Sequence, residues 1–441
     1  MGWGCFLTLR LKRNTGISGT GGSDRFKAGR RVAPCSMGSF DFVREYSPYT
    51  NREALLDDYT PDTLVGRDDE LDEYHGALQP AIYGEQPDNI FLYGKAGVGK
   101  TAATRFLLNK LEDNAEAYDD LTVRTEIINC DGLNSSYRVA SNLVNAMRDP
   151  SNHISETGYS RSQVYDLMWE ELDANGGIIL IVLDEIDHLK DDSILYQLSR
   201  ARENENLTEA RIGLIGISND LTFRDSLSPK VRSSLCERAI SFSTYDANEL
   251  RAVLEQREQV AFKEGVLTDD VVPLCAAFGA QESGDARKAL DLLLKAGDLA
   301  REENDEEVTE QHVRRGRELL EREQVARGIA DLNDHERLVV YALATLEAED
   351  DTPARSRDIY TRYEALADTA AGKDALTARW LREHLDDLAM LGILDVTETN
   401  EGSAGGKYRE YDLQQDLAVV LDALEETFES MGVHASVEDY L

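Results

Sequence analysis

The sequence predicts an α/β fold built on a parallel sheet, followed by an all-helical segment and a small C-terminal module of helices and a β-hairpin. Three observations lead there. From Val123 to Asp220, apolar runs of strand length alternate with amphipathic helical stretches. The runs are almost continuous Ile, Leu and Val, as strands covered on both faces require. After Phe242 the alternation gives way to apolar residues at i, i+3, i+4 spacing. In the last hundred residues, helical patterns precede two strand-like runs that flank a glycine-rich tip, Gly402 to Gly406.

The first element is the stretch Asn89 to Tyr93, a short buried strand, with a helix over Ala102 to Leu111 beyond it. Between them, Gly94-Lys95-Ala96-Gly97-Val98-Gly99-Lys100-Thr101 fits G-x-x-x-x-G-K-[ST], the phosphate-binding loop of nucleoside triphosphatases. Glycines let backbone N–H groups curl around phosphates, and the helix N-terminus adds partial positive charge. Lys100 is expected to reach the outer phosphates, and the Thr101 hydroxyl to ligate Mg2+.

Next come a second strand, Val123 to Asp131, and an amphipathic helix, Ser136 to Met147. The run Gly176 to Leu189, GGIILIVLDEIDHL, is a strongly apolar strand ending in acids. About 85 residues after a phosphate loop, such a strand places Asp184 to hold the Mg2+ water shell and Glu185 to polarise an attacking water. Asp187 and His188 follow, and His188 reads as a surface or interface histidine. The strand Arg211 to Asp220 ends at Asn219, where a polar side chain could orient that water. In the helix of SGDARKALDLLLKAGDLA, Arg287 sits early enough to lean over bound phosphates, an assignment that depends on the wider pattern.

The chain has 441 residues, enough for two or three domains. No apolar run reaches the eighteen or so residues of a membrane span. Five scattered cysteines with no C-x-x-C pair argue against zinc and disulfides and suit a reducing cytoplasm. The net charge is −37, and only 12 of the 47 basic residues are lysine. Hydrophobic content of 41% with clear periodicity excludes a disordered acidic chain. The charge instead suits a folded protein from a very salty cytoplasm, where screening removes the self-repulsion. The first 36 residues differ, with seven basic residues against the single acid Asp24. A start placed too early explains this better than a basic nucleic-acid arm, because acidic character begins just after Met37.

LVGRDDELDEY, GKAGVGKTA, VLDEIDHL, GISNDLTFRDSLSPKVRSSL, YDANELRAVLEQR and GDARKALDLL stand in this order and spacing from about Tyr59 onward. Together they resemble the AAA+ ATPases and, within them, the ORC-type DNA replication initiators of archaea, here of haloarchaeal character. Beyond the basic extension that composition marks over residues 1–38, the resemblance implies a nucleotide-binding domain over 39–245, a helical lid over 246–330 and a winged-helix domain over 331–441. It makes Asn219 similar to sensor 1 and Arg287 to sensor 2. Tyr245 and Arg257 match residues that line the nucleotide site with Gly94, Gly97, Val98, Gly99, Lys100, Thr101 and Ala102. The Ser136 to Met147 helix lies where initiators carry an insertion that touches DNA, which brings in Arg138. Where many AAA+ proteins have an arginine finger, this chain reads Ser233-Ser234-Leu235, with Arg232 and Arg238 nearby.

The C-terminal module also reads as a winged helix on its own pattern. Leu381, Leu385 and Leu388 share the core face of its third helix, leaving Arg379 and Arg382 outside. Lys407 and Arg409, two apart, share one face of a wing strand, and these four basic residues, with Arg138, are the expected DNA contacts. A winged helix can equally mediate protein contacts. The resemblance implies a slow, switch-like ATPase in the cytoplasm at the nucleoid, with ATP or ADP and Mg2+ bound. It also implies double-stranded origin DNA, the replicative MCM helicase and other initiator copies as partners, and no membrane. An ATPase-gated transcription regulator joins the same parts, and a branch-migration motor would need ring assembly as well. The GDAR sequence and the LVGRDDEL entry favour the initiator.

Overall fold

The structure, a computed structural model, describes residues 46–431 apart from 134, 156, 202, 370–373 and 401–406. The basic segment 1–38 and the glycine-rich tip fall outside the described residues.

Five strands form one parallel sheet: β1 (Ile90–Tyr93), β2 (Val123–Asn129), β3 (Gly177–Asp184), β4 (Ala210–Ser218) and β5 (Arg238–Ser241), in the order β2-β3-β4-β1-β5. β3 shows why its sequence is continuously apolar. Ile179, Ile181 and Leu183 pack into the core on one face, and Ile178, Leu180 and Val182 into the core on the other. Successive side chains alternate across a strand, so burial on both faces leaves no polar position. The register pairs Tyr93 with Ser218 and Asn129 with Asp184. The loop after β1, the acids ending β3 and the residue after β4 therefore meet at one edge, the carboxyl end of the strands, where ligands bind in open α/β sheets.

The sheet is followed by the helices Ala247–Ala261, Val271–Glu282, Ala286–Glu303 and Glu310–Asp331. The first begins with a capping box in which Asp246 accepts from the Asn248 and Glu249 backbones and Glu249 returns a bond to the Asp246 N–H. Tyr49, Ala54 and Leu55 pack into the core of these helices and not into the sheet, so the chain touches the helical layer before it enters β1. The 22-residue helix Glu310–Asp331 carries Val313 in that core and Ile329 in the next one. The expected boundary near residue 330 thus falls on a helix whose last turns already pack in the C-terminal module.

That module has helices Asp334–Ala348, Ser356–Thr369, Ala378–Met390 and Leu417–Met431 around a three-stranded antiparallel sheet, β6 (Ala354–Arg355), β7 (Leu394–Asn400) and β8 (Lys407–Leu413), in the order β6-β8-β7. Leu381, Leu385 and Leu388 are buried, as their spacing requires. The third helix stops at Met390, because Gly392 takes a left-handed φ of 74° and turns the chain into β7. No described helix is long and apolar enough to cross a membrane.

Candidate functional site

The loop after β1 holds its shape through glycines that other residues could not replace. Gly97 has φ 71°, and a Cβ built on it would lie 1.6 Å from Asp285 Oδ1. Gly99 has φ 91° and faces the Tyr245 hydroxyl. Inside the loop Lys100 is buried, and its Nζ donates to the Gly94 carbonyl at 2.8 Å, the Lys95 carbonyl at 2.7 Å and Asn219 Oδ1 at 2.9 Å. An ammonium only donates, so the Asn219 oxygen must face it, and the amide nitrogen is left to donate elsewhere. Burial pushes the Lys100 ammonium down to about 8, against the pull of Asp184, Asp187 and Glu185. The Val98 side chain is buried in the sheet core, so its expected part in the site reduces to its backbone.

Asp184 is fixed through both oxygens. Oδ2 accepts the Thr101 hydroxyl at 2.8 Å and Oδ1 accepts the Glu185 N–H at 3.0 Å. Thr101 and Asp184 are thus adjacent, an oxygen pair suited to a hard cation such as Mg2+. Glu185 itself has φ 56° and ψ 45°. Left-handed backbone is uncommon outside glycine and collects at functional sites. His188 contacts Asp131 at 3.1 Å, and a ring nitrogen of His188 lies within 4.8 Å of a Glu185 carboxylate oxygen.

Lys100, Thr101, Ala102, Asp184, Glu185, Asn219, Tyr245, Arg257 and Arg287 all line one cavity of about 340 Å³, together with Gly97 and Gly99. The helix Ala286–Glu303 docks on the loop directly: the Ala286 N–H donates to the Gly97 carbonyl at 3.0 Å, and Asp285 caps the helix by accepting from Arg287 N at 2.8 Å. Arg287 pairs with Asp57 at 3.0 Å, with both side chains more than half exposed. Arg257 is buried beneath the far wall, donating to the Ala54 carbonyl at 3.2 Å and stacking on Tyr59. The residues fit a nucleoside triphosphate with Mg2+: a cation in a loop of positive-φ glycines, a hydroxyl–carboxylate pair, and an apolar end.

That apolar end was not legible in the sequence. Leu56, Pro61, Leu64 and Val65 line it, together with Val253 and Leu290. Arg67 was also missed as a site residue, although it lies in the quoted LVGRDDEL. It is 1% exposed, donates to the Ser243 carbonyl at 2.6 Å and to Glu70 at 2.9 Å, and its guanidinium lies 3.7 Å from the Tyr245 ring centroid. A buried arginine under the aromatic that faces Gly99 holds that ring in place.

The expected DNA-contacting arginines lie elsewhere. Arg379 and Arg382 are on the helix Ala378–Met390, and Arg409 is on β8 opposite Glu398. Arg379 pairs with Glu383 at 3.0 Å, Arg409 with Asp386 at 2.7 Å and Glu398 at 3.1 Å, and Arg382 donates to its own helix at the Ala378 carbonyl. Lys407 begins β8. Arg138 donates to the Gly132 carbonyl at 2.8 Å, on a helix tied to Asp191 through Ser136 at 2.6 Å. Arg232 pairs with Asp225 and Arg238 with Asp88.

Comparison with known proteins matches three family models in order: an AAA domain over residues 84–223, a Cdc6 AAA+ ATPase-type lid domain over 251–318 and a CDC6 C-terminal winged-helix domain over 327–423. The chain is 56% identical over 401 residues to the ORC1-type DNA replication protein 11 of Haloarcula marismortui, covering 91% of this chain and 96% of that one. It is 45% identical over 391 residues to the ORC1-type DNA replication protein 10 of Halobacterium salinarum, covering 88% and 94%. Among solved structures it resembles the Aeropyrum pernix ORC1 protein in complex with DNA, at a TM-score of 0.75 and 38% identity over 87% of this chain and 99% of that one. The chain belongs to the ORC1-type DNA replication proteins, AAA+ proteins with a Cdc6-type lid and a C-terminal winged helix.

Proposed function

We propose that this chain is an ATP-dependent replication initiator that binds duplex DNA at origins and recruits or loads the replicative MCM helicase, alone or with other initiator copies, with slow ATP hydrolysis as its switch. One connection carries the reading. The Ala286 N–H bonds to the phosphate loop at Gly97, the helix it begins packs in the lid core, and the helix Glu310–Asp331 runs from that core into the winged helix. These contacts support a reading in which a change at the loop is passed through the lid to the winged helix, the kind of linkage a nucleotide switch needs.

In this reading Lys100 binds the outer phosphates, while Thr101 and Asp184 hold Mg2+. Asn219 and Glu185 position and polarise the attacking water, and Arg287 leaves Asp57 to report on the phosphates. When bound, the nucleotide and its metal supply the phosphoryl bond and the charge that neutralises its cleavage. Tyr245 and Arg257 close the site at the lid. On DNA, a helix in the major groove reads base edges, and arginine pairs bidentately with guanine, so Arg382 is assigned specificity. Lys407, Arg409 and Arg138 are assigned phosphate contacts, which set register. The solved complex of the similar Aeropyrum ORC1 protein with DNA supports DNA binding as the reading for this chain.

Arg382→Ala is expected to cost about 1–3 kcal/mol on a bound site and to relax its sequence preference, whereas Arg409→Ala weakens all duplexes alike. Both are read by titrating full-length protein on specific and random duplexes in concentrated KCl. Unchanged affinity in both variants moves the DNA contact off this face and makes the winged helix a protein-binding module.

A further inference from the structure

The helix assigned to the major groove is not a basic surface. Between Ala378 and Met390 it carries Arg379 and Arg382 against Glu383, Asp386 and Asp387. Two of the arginines assigned to DNA are already neutralised by carboxylates. Arg379 is held by Glu383 four residues on, and Arg409 bridges from the wing to Asp386 on the helix while also holding Glu398 across the hairpin. All five side chains are exposed, so the pairs face the solvent that DNA would replace.

A phosphate that engages Arg379 or Arg409 either displaces these carboxylates or shares the guanidinium with them, since Arg379 gives Glu383 only its Nε–H and Arg409 gives Glu398 and Asp386 its Nε–H and an Nη1 donor. In either case Glu383, Asp386 and Glu398 come to lie beside a polyanion while the guanidinium charge that balanced them is shared with phosphate, a like-charge arrangement that a cation relieves. Each phosphate contact releases about 0.9 cation from duplex DNA. Each carboxylate so placed takes up roughly one by the same count, so the usual entropic gain from counterion release is offset at these positions.

Resting on the DNA-binding reading above, we infer that DNA binding by this winged helix is coupled to cation uptake by Glu383, Asp386 and Glu398. Its affinity is thereby held in concentrated salt, where an ordinary basic DNA-binding face would let go. The acids on the reading face set the salt range of the module. The two arginines supply contact and the three carboxylates supply salt tolerance.

Fluorescence anisotropy of the full chain on a labelled duplex, with KCl raised about fivefold within the range where the protein stays folded, tests this directly. The triple variant E383Q/D386N/E398Q is expected to have a plot of log affinity against log [KCl] steeper than the wild type by two to three units. Over that range it loses about 25- to 125-fold more affinity than the wild type does, while binding more tightly at the low end. The single variant Glu383→Gln, at a largely exposed side chain, gives about one unit and guards against misfolding of the triple. Parallel salt plots for wild type and variants overturn the coupling while leaving DNA binding intact. No duplex binding by either protein at any salt overturns both the coupling and the DNA-binding reading.

Discussion

Replacing Glu185 with Gln is expected to leave ATP affinity within about threefold of the wild type and to lower turnover by about 10²–10⁴-fold, the range for loss of a positioned general base. The substitution keeps shape and polarity and removes only the carboxylate's proton affinity. Asp184 keeps the Thr101 hydroxyl at 2.8 Å and the residue-185 backbone N–H at 3.0 Å, so the metal-holding pair is untouched. The left-handed backbone at 185 is as available to Gln as to Glu, so the loop has no reason to rearrange. Loss of kcat at constant Kd identifies an interaction made only in the transition state. Nucleotide titration with single-turnover hydrolysis separates the two. Hydrolysis at the normal rate would take the water-activating role away from Glu185.

Lys100→Ala is expected to abolish nucleotide binding in practical terms, lowering affinity by at least about 100-fold, since each hydrogen bond to a charged group contributes about 1.5–3 kcal/mol. The lysine is enclosed by two loop carbonyls and Asn219, with its ammonium where phosphate charge would lie. The same geometry gives a pH signature. Burial lowers Lys100 to about 8 in the free protein, and a bound polyphosphate must raise it again. Below that value the lysine is already protonated, and pH has no effect through it. Above it, binding must first take up a proton, so affinity falls by up to tenfold per pH unit. Isothermal titration in buffers of different ionisation enthalpy should detect proton uptake above pH about 8 in the wild type and none in a Lys100→Arg variant. Wild-type affinity that stays flat from pH about 7 to 9.5 contradicts this assignment of the lysine.

The sheet and the phosphate site were legible because their signals are local. A glycine loop between a strand and a helix, and β3 with its acids at one end, state their chemistry in contiguous residues, and the parallel register aligns them. Arg287 was recognisable only from the wider pattern, because what brings it to the loop is the Ala286 to Gly97 hydrogen bond between distant segments. Of the apolar residues between Leu56 and Val65, Leu64 and Val65 stand in LVGRDDEL, but nothing in the sequence marked them, Leu56 or Pro61 as a wall of the site. Those residues follow a segment that packs on the lid before the chain enters the sheet, a long-range event that no periodicity encodes. Arg67 was hidden by its type, since a basic residue next to a helix N-terminus reads as solvated, yet here it is buried under Tyr245. On the winged helix, spacing gave the outward arginines but not the carboxylates that hold them. The partner of Arg409 on the reading helix, Asp386, lies 23 residues away in the chain.

The central claim, an ATP-dependent initiator that binds origin DNA, is tested most directly by genome-wide immunoprecipitation of DNA bound to the native protein in growing cells. A few discrete peaks that coincide with sites where replication begins are expected, and they should weaken in cells carrying Lys100→Ala. Peaks spread over promoters, with none at a replication start, would contradict it and make the chain an ATPase-gated transcription regulator.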